Sequence, residues 1–543
     1  MILILSNLIL FYDALPWPDR EKFFFKDVAP EDVWKAVNSI GSNAKGVDDI
    51  PLLFYKSCIF ELTPAIIHIF NFSLQNGCFA ELWKLALVKP IPKKASPTVV
   101  KDFRPISLLC VLSKILEFII HKQMLEYLDQ YSILNPSQSG FKKGHSTTTA
   151  LTTVSHDIRK AMDKRKLTLL ILYYFSNAFP SVHHKLLLSK LRSMGFSQST
   201  CNWFASYLCG RSQKVVFNGE ESAVLSLMFG VPQGSILGPL LYSLYVNDIN
   251  CVFKLSKFHL YADDLENYIS YPVDQLDEAV NAMNEEAQSL SLFSAKHNLS
   301  INPAKTQVVL IGNSKILSKV PESCPLIRVN NMDIPYKDNV VNLGVTFDKH
   351  LSWEPYITSV CKKARCVIQS LKRKKDLFPQ KIRIKLMQSL VFPILDYGSI
   401  VCFDMSQGLS EQVQKVQNNA IRFVYNLKWD CHISNHLVNI GWFNMLNRRR
   451  FLALSLLFKV ILYKTPQYLS CCLKFMDEVH SRNNRSSELT LQIPLHRTDK
   501  LKGSFLVSIP SLWNMLPESI RSCKTARRFR SELRKYLYSI QNL

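Results

Sequence analysis

The chain has 543 residues, 47% of them hydrophobic and 20% charged, with no low-complexity tract. This composition argues against bulk disorder, and the chain is long enough for a sizeable core and more than one domain. The net charge is +23, and residues 354–543 hold 31 Lys and Arg against 12 Asp and Glu, so the surplus is concentrated in the last third. A basic third on a nearly balanced body points to a polyanionic partner, nucleic acid first, with a merely soluble basic surface as the plain alternative.

The opening MILILSNLIL is apolar but lacks a basic flank, and Asp13 and Pro16 follow closely. It is too short to span a bilayer and reads as a core segment or a ragged start. Residues 1–85 are predicted to be helical, with Val33, Val37 and Ile40 on one face and Ile66, Ile67, Phe70 and Leu74 on another. From Leu85 the texture changes to short β-rich runs, LALVKPIPKK, KLTLLILYYF, KVVFNG and FHLYADD. Between them lie predicted helices over Ser113–Tyr131, Thr147–Lys164, Lys185–Ser193, Pro239–Asn250 and Asp274–Asn298. This alternation predicts an α/β or α+β domain. Beyond Leu351 the chain is predicted to be helical and basic. One amphipathic helix carries Ile357, Val360, Ala364, Val367 and Leu371, and another Val413, Val416, Ala420, Ile421 and Val424. The 14 cysteines show no C-x-x-C spacing, which predicts reduced, mostly buried thiols in an intracellular, non-secreted protein of nucleus or cytoplasm.

Two segments carry chemistry. Tyr261-Ala-Asp-Asp264, flanked by Phe258, Leu260, Tyr268 and Ile269, predicts a tight hairpin with carboxylates at its tip. Two acids held that close create a field that a hard cation such as Mg²⁺ relieves; an ordinary solvated turn is the bland reading. Upstream, FGVPQGSILGPLLYSLYVNDI runs from Phe229 to Ile249. Gly230, Gly234 and Gly238 allow close backbone approach, and Pro239 suits a helix start. Such a loop could cradle a nucleotide and a template base, against the bland reading of a Gly/Pro connector.

GVPQGSILGPLLY followed by LYADD resembles motifs B and C of reverse transcriptases of LINE-type (non-LTR) retrotransposons, Jockey-like ones included. Further matches fall in the family's order. Asp102–Leu109 with Ser113–Glu117 resembles the fingers motif, and Gln138–Phe141 with Gly144–Thr147 follows it. Ser206–Leu208 with Gly210–Gln213 lies between motifs A and B, and Leu299–Thr306 resembles motif D. Asn342–Asp348 with Leu351–Trp353 resembles the primer-grip region, and Leu512–Pro517 the C-terminal extension.

The resemblance implies an α+β right-hand polymerase with fingers, a palm on a small antiparallel sheet, and a helical thumb. The expected division is a helical extension over 1–85, fingers and palm over 86–313, primer grip and thumb over 314–405, and a basic extension over 406–543. It implies RNA-directed DNA synthesis by two metal ions, with an RNA template, a DNA primer or RNA/DNA hybrid and deoxynucleoside triphosphates as partners, and no membrane. Carried over by position, Asp263 and Asp264 are the Mg²⁺ ligands. Arg104 clamps the triphosphate with Lys93 or Lys94 assisting, Phe179 sits under the incoming sugar, Gln233 and Gly234 meet the nucleotide or template, and Lys305 protonates the leaving pyrophosphate.

Motif A departs from the pattern. The family places acids at three positions that here read Tyr174, Pro180 and His183, while Phe175, Ala178, Phe179, Val182 and His184 keep the register. No Asp or Glu occurs between Asp163 and Glu220. A phenol is uncharged at neutral pH, so the Mg²⁺ site is expected to be weakened or lost and the enzyme inactive. Residual activity, in particular with Mn²⁺, and a non-enzymatic role in binding nucleic acid are the alternatives; Lys372–Lys375, Arg448–Arg450 and Arg527–Arg530 are then the expected footprint. No endonuclease, ribonuclease H or CCHC segment is recognisable, so the chain is expected to be a truncated copy.

Overall fold

The computed structural model describes residues 2–479 and 488–541. Two compact units are interleaved along the chain. The first comprises residues 1–141, 174–254 and 286–303, and the second 142–173, 255–285 and 304–543.

The first unit carries a sheet in the order Phe103–Leu108, Leu85–Pro92, Ser212–Phe217, Glu220–Glu221. Its first pair is antiparallel, with Ile91 opposite Arg104, and its second parallel, with Leu85 opposite Ser212. Helices Pro30–Ser39 and Ile59–Asn76 present the periodic faces expected of them: Val33, Val37, Ile66 and Phe70 are buried. The core of this unit is strongly aromatic. Trp203 stacks on Tyr207 at 5.5 Å and meets Phe79 and Phe25 edge-on. Helix Ile2–Ala14 accounts for the apolar opening segment, its Tyr12 donating a hydrogen bond to Asp248.

The second unit has an antiparallel sheet in the order Gln307–Ile311, Leu167–Ser176, Asp264–Tyr271, Lys257–Tyr261. Val308 faces Ile171 across one ladder and Leu260 faces Leu265 across another. Strand residues Leu167 and Leu169–Ile171 are all buried, which explains why the run reads as continuously apolar rather than alternating. Helix Thr147–Asp163, capped by Ser146, contributes Leu151, Val154 and Ile158 to the core shared with helices Glu354–Lys372 and Gln407–Tyr425. In the hairpin Asn339–Asn342/Val345–Asp348, Leu343 and Gly344 both take positive φ (42° and 79°), the turn geometry that lets strand twist continue. Asp348 then accepts hydrogen bonds from the backbone of Ser352 and Trp353, both at 3.0 Å, so the Asn-Leu-Gly-Val-Thr-Phe-Asp string encodes a hairpin and its exit. A second core joins helices Met445–Tyr463, Phe505–Asn514 and Ala526–Gln541, where Phe458 stacks on Phe529 at 4.1 Å beside buried Trp513.

The α+β expectation holds. Two details differ. Only Cys110, Cys201, Cys361 and Cys402 of the 14 cysteines are buried, although all are free, so the expectation of mostly buried thiols is wrong; most of the others sit in turns and loops between elements. The helix expected over Pro239–Asn250 stops at Tyr245 and continues as a 3₁₀ turn, because the Asn247 amide is recruited by the backbone of Ile133 and Asn135.

Candidate polymerase site

In the second unit, Tyr261 pairs with Asp264 to close a hairpin whose turn is Ala262–Asp263, with Ala262 at φ 59°. The two acids are thereby held side by side at the tip. Burial, and next the neighbouring Asp263 carboxylate, push the Asp264 carboxyl up to about 6, although the side chain stays open to solvent on one side. A cavity of about 160 Å³ opens beside it, lined by Asp264, Glu266, Tyr261 and Asn342 among others. Glu266 is 4% exposed and takes a hydrogen bond from the Asn342 amide; burial drives its carboxyl up to about 8. Lys305 lies exposed in the turn before strand Gln307–Ile311.

In the first unit, the motif A and motif B loops are tied to each other. Gly230 N donates to Val182 O at 2.7 Å, Val231 N to Phe179 O at 3.1 Å, and His184 Nε2 meets Gly230 O at 2.8 Å. A Cβ on Gly230 would lie 2.8 Å from Pro180 Cα, and one on Gly234 2.3 Å from Ser107 O. Both positions have positive φ, so glycine is required there twice over. Gln233 offers its carbonyl to Ser107 N at 2.7 Å, and its side chain lines a cavity of about 140 Å³ with Pro105, Pro180, Arg211 and Phe229. Phe179 stacks on Tyr242 at 4.7 Å and meets Phe141 edge-on. Arg104 and Lys93 are exposed near one end of the strand pair Leu85–Pro92/Phe103–Leu108. Lys93 Nζ donates to Lys101 O at 2.9 Å, whereas Lys94 is engaged by Asp102 at 2.9 Å. That Lys94 bond and the Thr98 backbone bond hold the Asp102 carboxyl down at about 2.

Sequence reasoning placed Glu117 at the end of a motif but gave it no role. It is fully buried in helix Val111–Gln130, and its Oε2 accepts from Ile236 N at 2.7 Å and Leu237 N at 3.1 Å. The carboxylate thus buckles the motif B loop onto the fingers helix. The available signal was a lone acid inside an apolar helical run.

Tyr174 lies at the end of the long strand, 37% exposed, its carbonyl accepting from Asn302 N at 2.8 Å. His183, read from sequence as a lost acid, is the N-cap of helix His184–Ser193: its Nδ1 accepts from Leu186 N at 3.3 Å. Among the described residues no group of three or more His, Cys, Asp and Glu is arranged to hold a metal ion. Asp263 and Asp264 are two adjacent carboxylates whose chemistry suits a hard divalent cation.

A family model, reverse transcriptase (RNA-dependent DNA polymerase), matches residues 91–347, which span both loops and the aspartate hairpin. Residues 91–347 form a reverse transcriptase domain of the non-LTR retrotransposon kind. The chain is 26% identical over 427 residues to a probable RNA-directed DNA polymerase from transposon BS of Drosophila melanogaster, covering 76% of this chain and 46% of that protein. It is 26% identical over 372 residues to the RNA-directed DNA polymerase from mobile element jockey of the same species, covering 66% and 40%. To a Pol polyprotein of the R2 element of Popillia japonica it is 22% identical over 394 residues, covering 69% and 52%. The chain spans about half or less of the length of these curated relatives. In the C-terminal part of the chain, Arg448 and Arg449 leave the expected basic footprint. Arg448 is half-buried and paired with Asp396, and Arg449 on helix Met445–Tyr463 is 3% exposed. Arg527, Arg528 and Arg530 do stay exposed.

Proposed function

We propose that this chain is the polymerase portion of a non-LTR element's product and no longer performs nucleotidyl transfer. In this reading 86–313 act as fingers and palm, 314–405 as primer grip and thumb, and 406–543 as a basic extension. An RNA template, a DNA primer or hybrid, and deoxynucleoside triphosphates are its ligands. Arg104 with Lys93 would meet the triphosphate, Phe179 the sugar, Gln233 and Gly234 the base, and Lys305 the departing pyrophosphate. Asp263 and Asp264 would hold what divalent cation affinity remains.

The observation that carries the proposal is Tyr174. It replaces the shared acid with a neutral ring, and no Asp or Glu occurs between Asp163 and Glu220 to take its place. Mg²⁺ demands near-octahedral oxygen ligands at short range, and loss of a group that acts in concert with others typically costs about 10³-fold or more in rate. The test is primer extension on an RNA template by the chain and by Tyr174→Asp, alone and with Pro180→Asp and His183→Asp, in Mg²⁺ and in Mn²⁺. Extension is expected only from the reverted chains. Comparable extension by the unaltered chain in Mg²⁺ overturns the proposal, and extension confined to Mn²⁺ favours residual activity. A purely binding role is favoured by one observation, the exposed Arg527, Arg528 and Arg530 on the last helix, and predicts tight hybrid binding without extension by any variant.

A further inference from the structure

The aspartate hairpin has an open end as well as its acidic tip. Lys257 pairs with Tyr268 at its open end, opposite the turn that carries Asp263 and Asp264. Ser270 lies six positions beyond Asp264, about 20 Å along an extended strand. At that open end lies a groove of about 510 Å³, whose walls include Lys160 and Lys164 from the end of helix Thr147–Asp163, Lys166 from the start of the next strand, and Lys257.

Its charge is uncompensated. The one acid in the wall, Asp157, is already used by Lys257 Nζ at 2.7 Å and Tyr268 OH at 2.8 Å. Asp163, close in sequence, is committed to Thr498 and to the backbone of Arg497. Among the described residues, no carboxylate lies within ion-pair distance of Lys160, Lys164 or Lys166. Three free ammonium groups converging on one concavity repel one another unless a polyanion joins them. Between them the groove is not polar throughout. Leu255 is 56% exposed at its rim, and half-buried Tyr271 lines its wall.

We infer that this groove binds a single-stranded nucleic-acid segment, with phosphates on Lys160, Lys164 and Lys166 and a base against Tyr271. Basic side chains that track a backbone, interleaved with an aromatic platform, are the chemistry of sequence-tolerant single-strand binding. A base stacked inside a duplex would leave the Tyr271 face unmet, whereas an unstacked base of a single strand can lie against it. The inference is independent of whether the aspartate end performs chemistry.

The test uses the full chain and a fluorescein-labelled 20-nucleotide oligo(U) carrying 4-thiouridine. In anisotropy titrations across a salt series, Lys160→Gln/Lys164→Gln/Lys166→Gln should reduce the log affinity–log salt slope by about 2, since each single-strand phosphate contact contributes about 0.7. Ultraviolet crosslinking of the unaltered chain should label the peptide containing Tyr271, and Tyr271→Ala should lose that adduct while Tyr271→Phe keeps it. Because the crosslink is read first on the unaltered chain, a variant that fails to fold does not blunt the test. An unchanged salt slope in a folded triple variant, or no adduct within residues 255–275, overturns the inference. So does equal protection of the adduct by duplex and single-stranded competitor.

Discussion

Glu117 offers the sharpest test of how the motif B loop is held. Its Oε2 accepts from two backbone amides, that of half-buried Ile236 at 2.7 Å and that of buried Leu237 at 3.1 Å, while Oε1 has no hydrogen-bond partner among the described residues. Burial raises the carboxyl above the ordinary glutamate range, against the pull of the two amides and of Arg211 and Lys114. In Glu117→Ala both amides lose their acceptor, and the buried Leu237 amide does so out of reach of bulk water. Each buried unsatisfied donor costs about 1–3 kcal/mol; relief from burying the carboxylate offsets part, leaving a net loss of about 3 kcal/mol. Hydrogen exchange at Ile236 and Leu237 reads this locally, because about 3 kcal/mol corresponds to roughly 150-fold faster exchange through local opening. Glu117→Gln keeps an sp² oxygen facing the amides and should accelerate exchange by less than about tenfold. If Glu117→Ala leaves both amides as protected as in the unaltered chain, the carboxylate does not hold the loop and the reasoning fails.

Two further outcomes follow from side chains whose roles the fold reveals. Arg159 and Asp404 form an ion pair at 2.6 Å, 1% and 6% exposed, and Asp404 also accepts from Trp353 Nε1 at 2.7 Å; Asp404→Ala should therefore cost about 3–5 kcal/mol in urea unfolding, whereas a loss under about 1 kcal/mol would mean the charge finds other compensation. At the N-cap of helix His184–Ser193, burial, then His184 and Lys185, lower the His183 imidazole's affinity for protons. The unfolded chain consequently binds the proton first, and stability at this site falls as pH drops through the ordinary histidine range near 6.5. His183→Asp should add about 1 kcal/mol at neutral pH through a better cap at the positive helix end and flatten that acid loss; equal melting temperatures of the two proteins from pH 5.5 to 7.5 would contradict it.

Much of this protein is determined locally and could be read without coordinates. Periodicity located the helices carrying Val33 and Val37 or Val413 and Val416, because burial of one face imposes the spacing. The Tyr-Ala-Asp-Asp string specified a hairpin with two acids at its tip, because turn and strand preferences act over a few residues. Motif A showed its missing acids in register, since substitution at a fixed position is visible whatever the fold. What depends on atoms far apart in sequence had to wait for the tertiary structure. Glu117 reaches the amides of Ile236 and Leu237 across 119 residues, Arg448 is neutralised by Asp396, and His183, read only as a lost acid, is a helix cap. The lysines at 160, 164, 166 and 257 meet only because the hairpin's open end folds back beside the helix that precedes the central strand. Charge can be counted along a chain, but whether a charge is free is decided by the partner that folding brings to it.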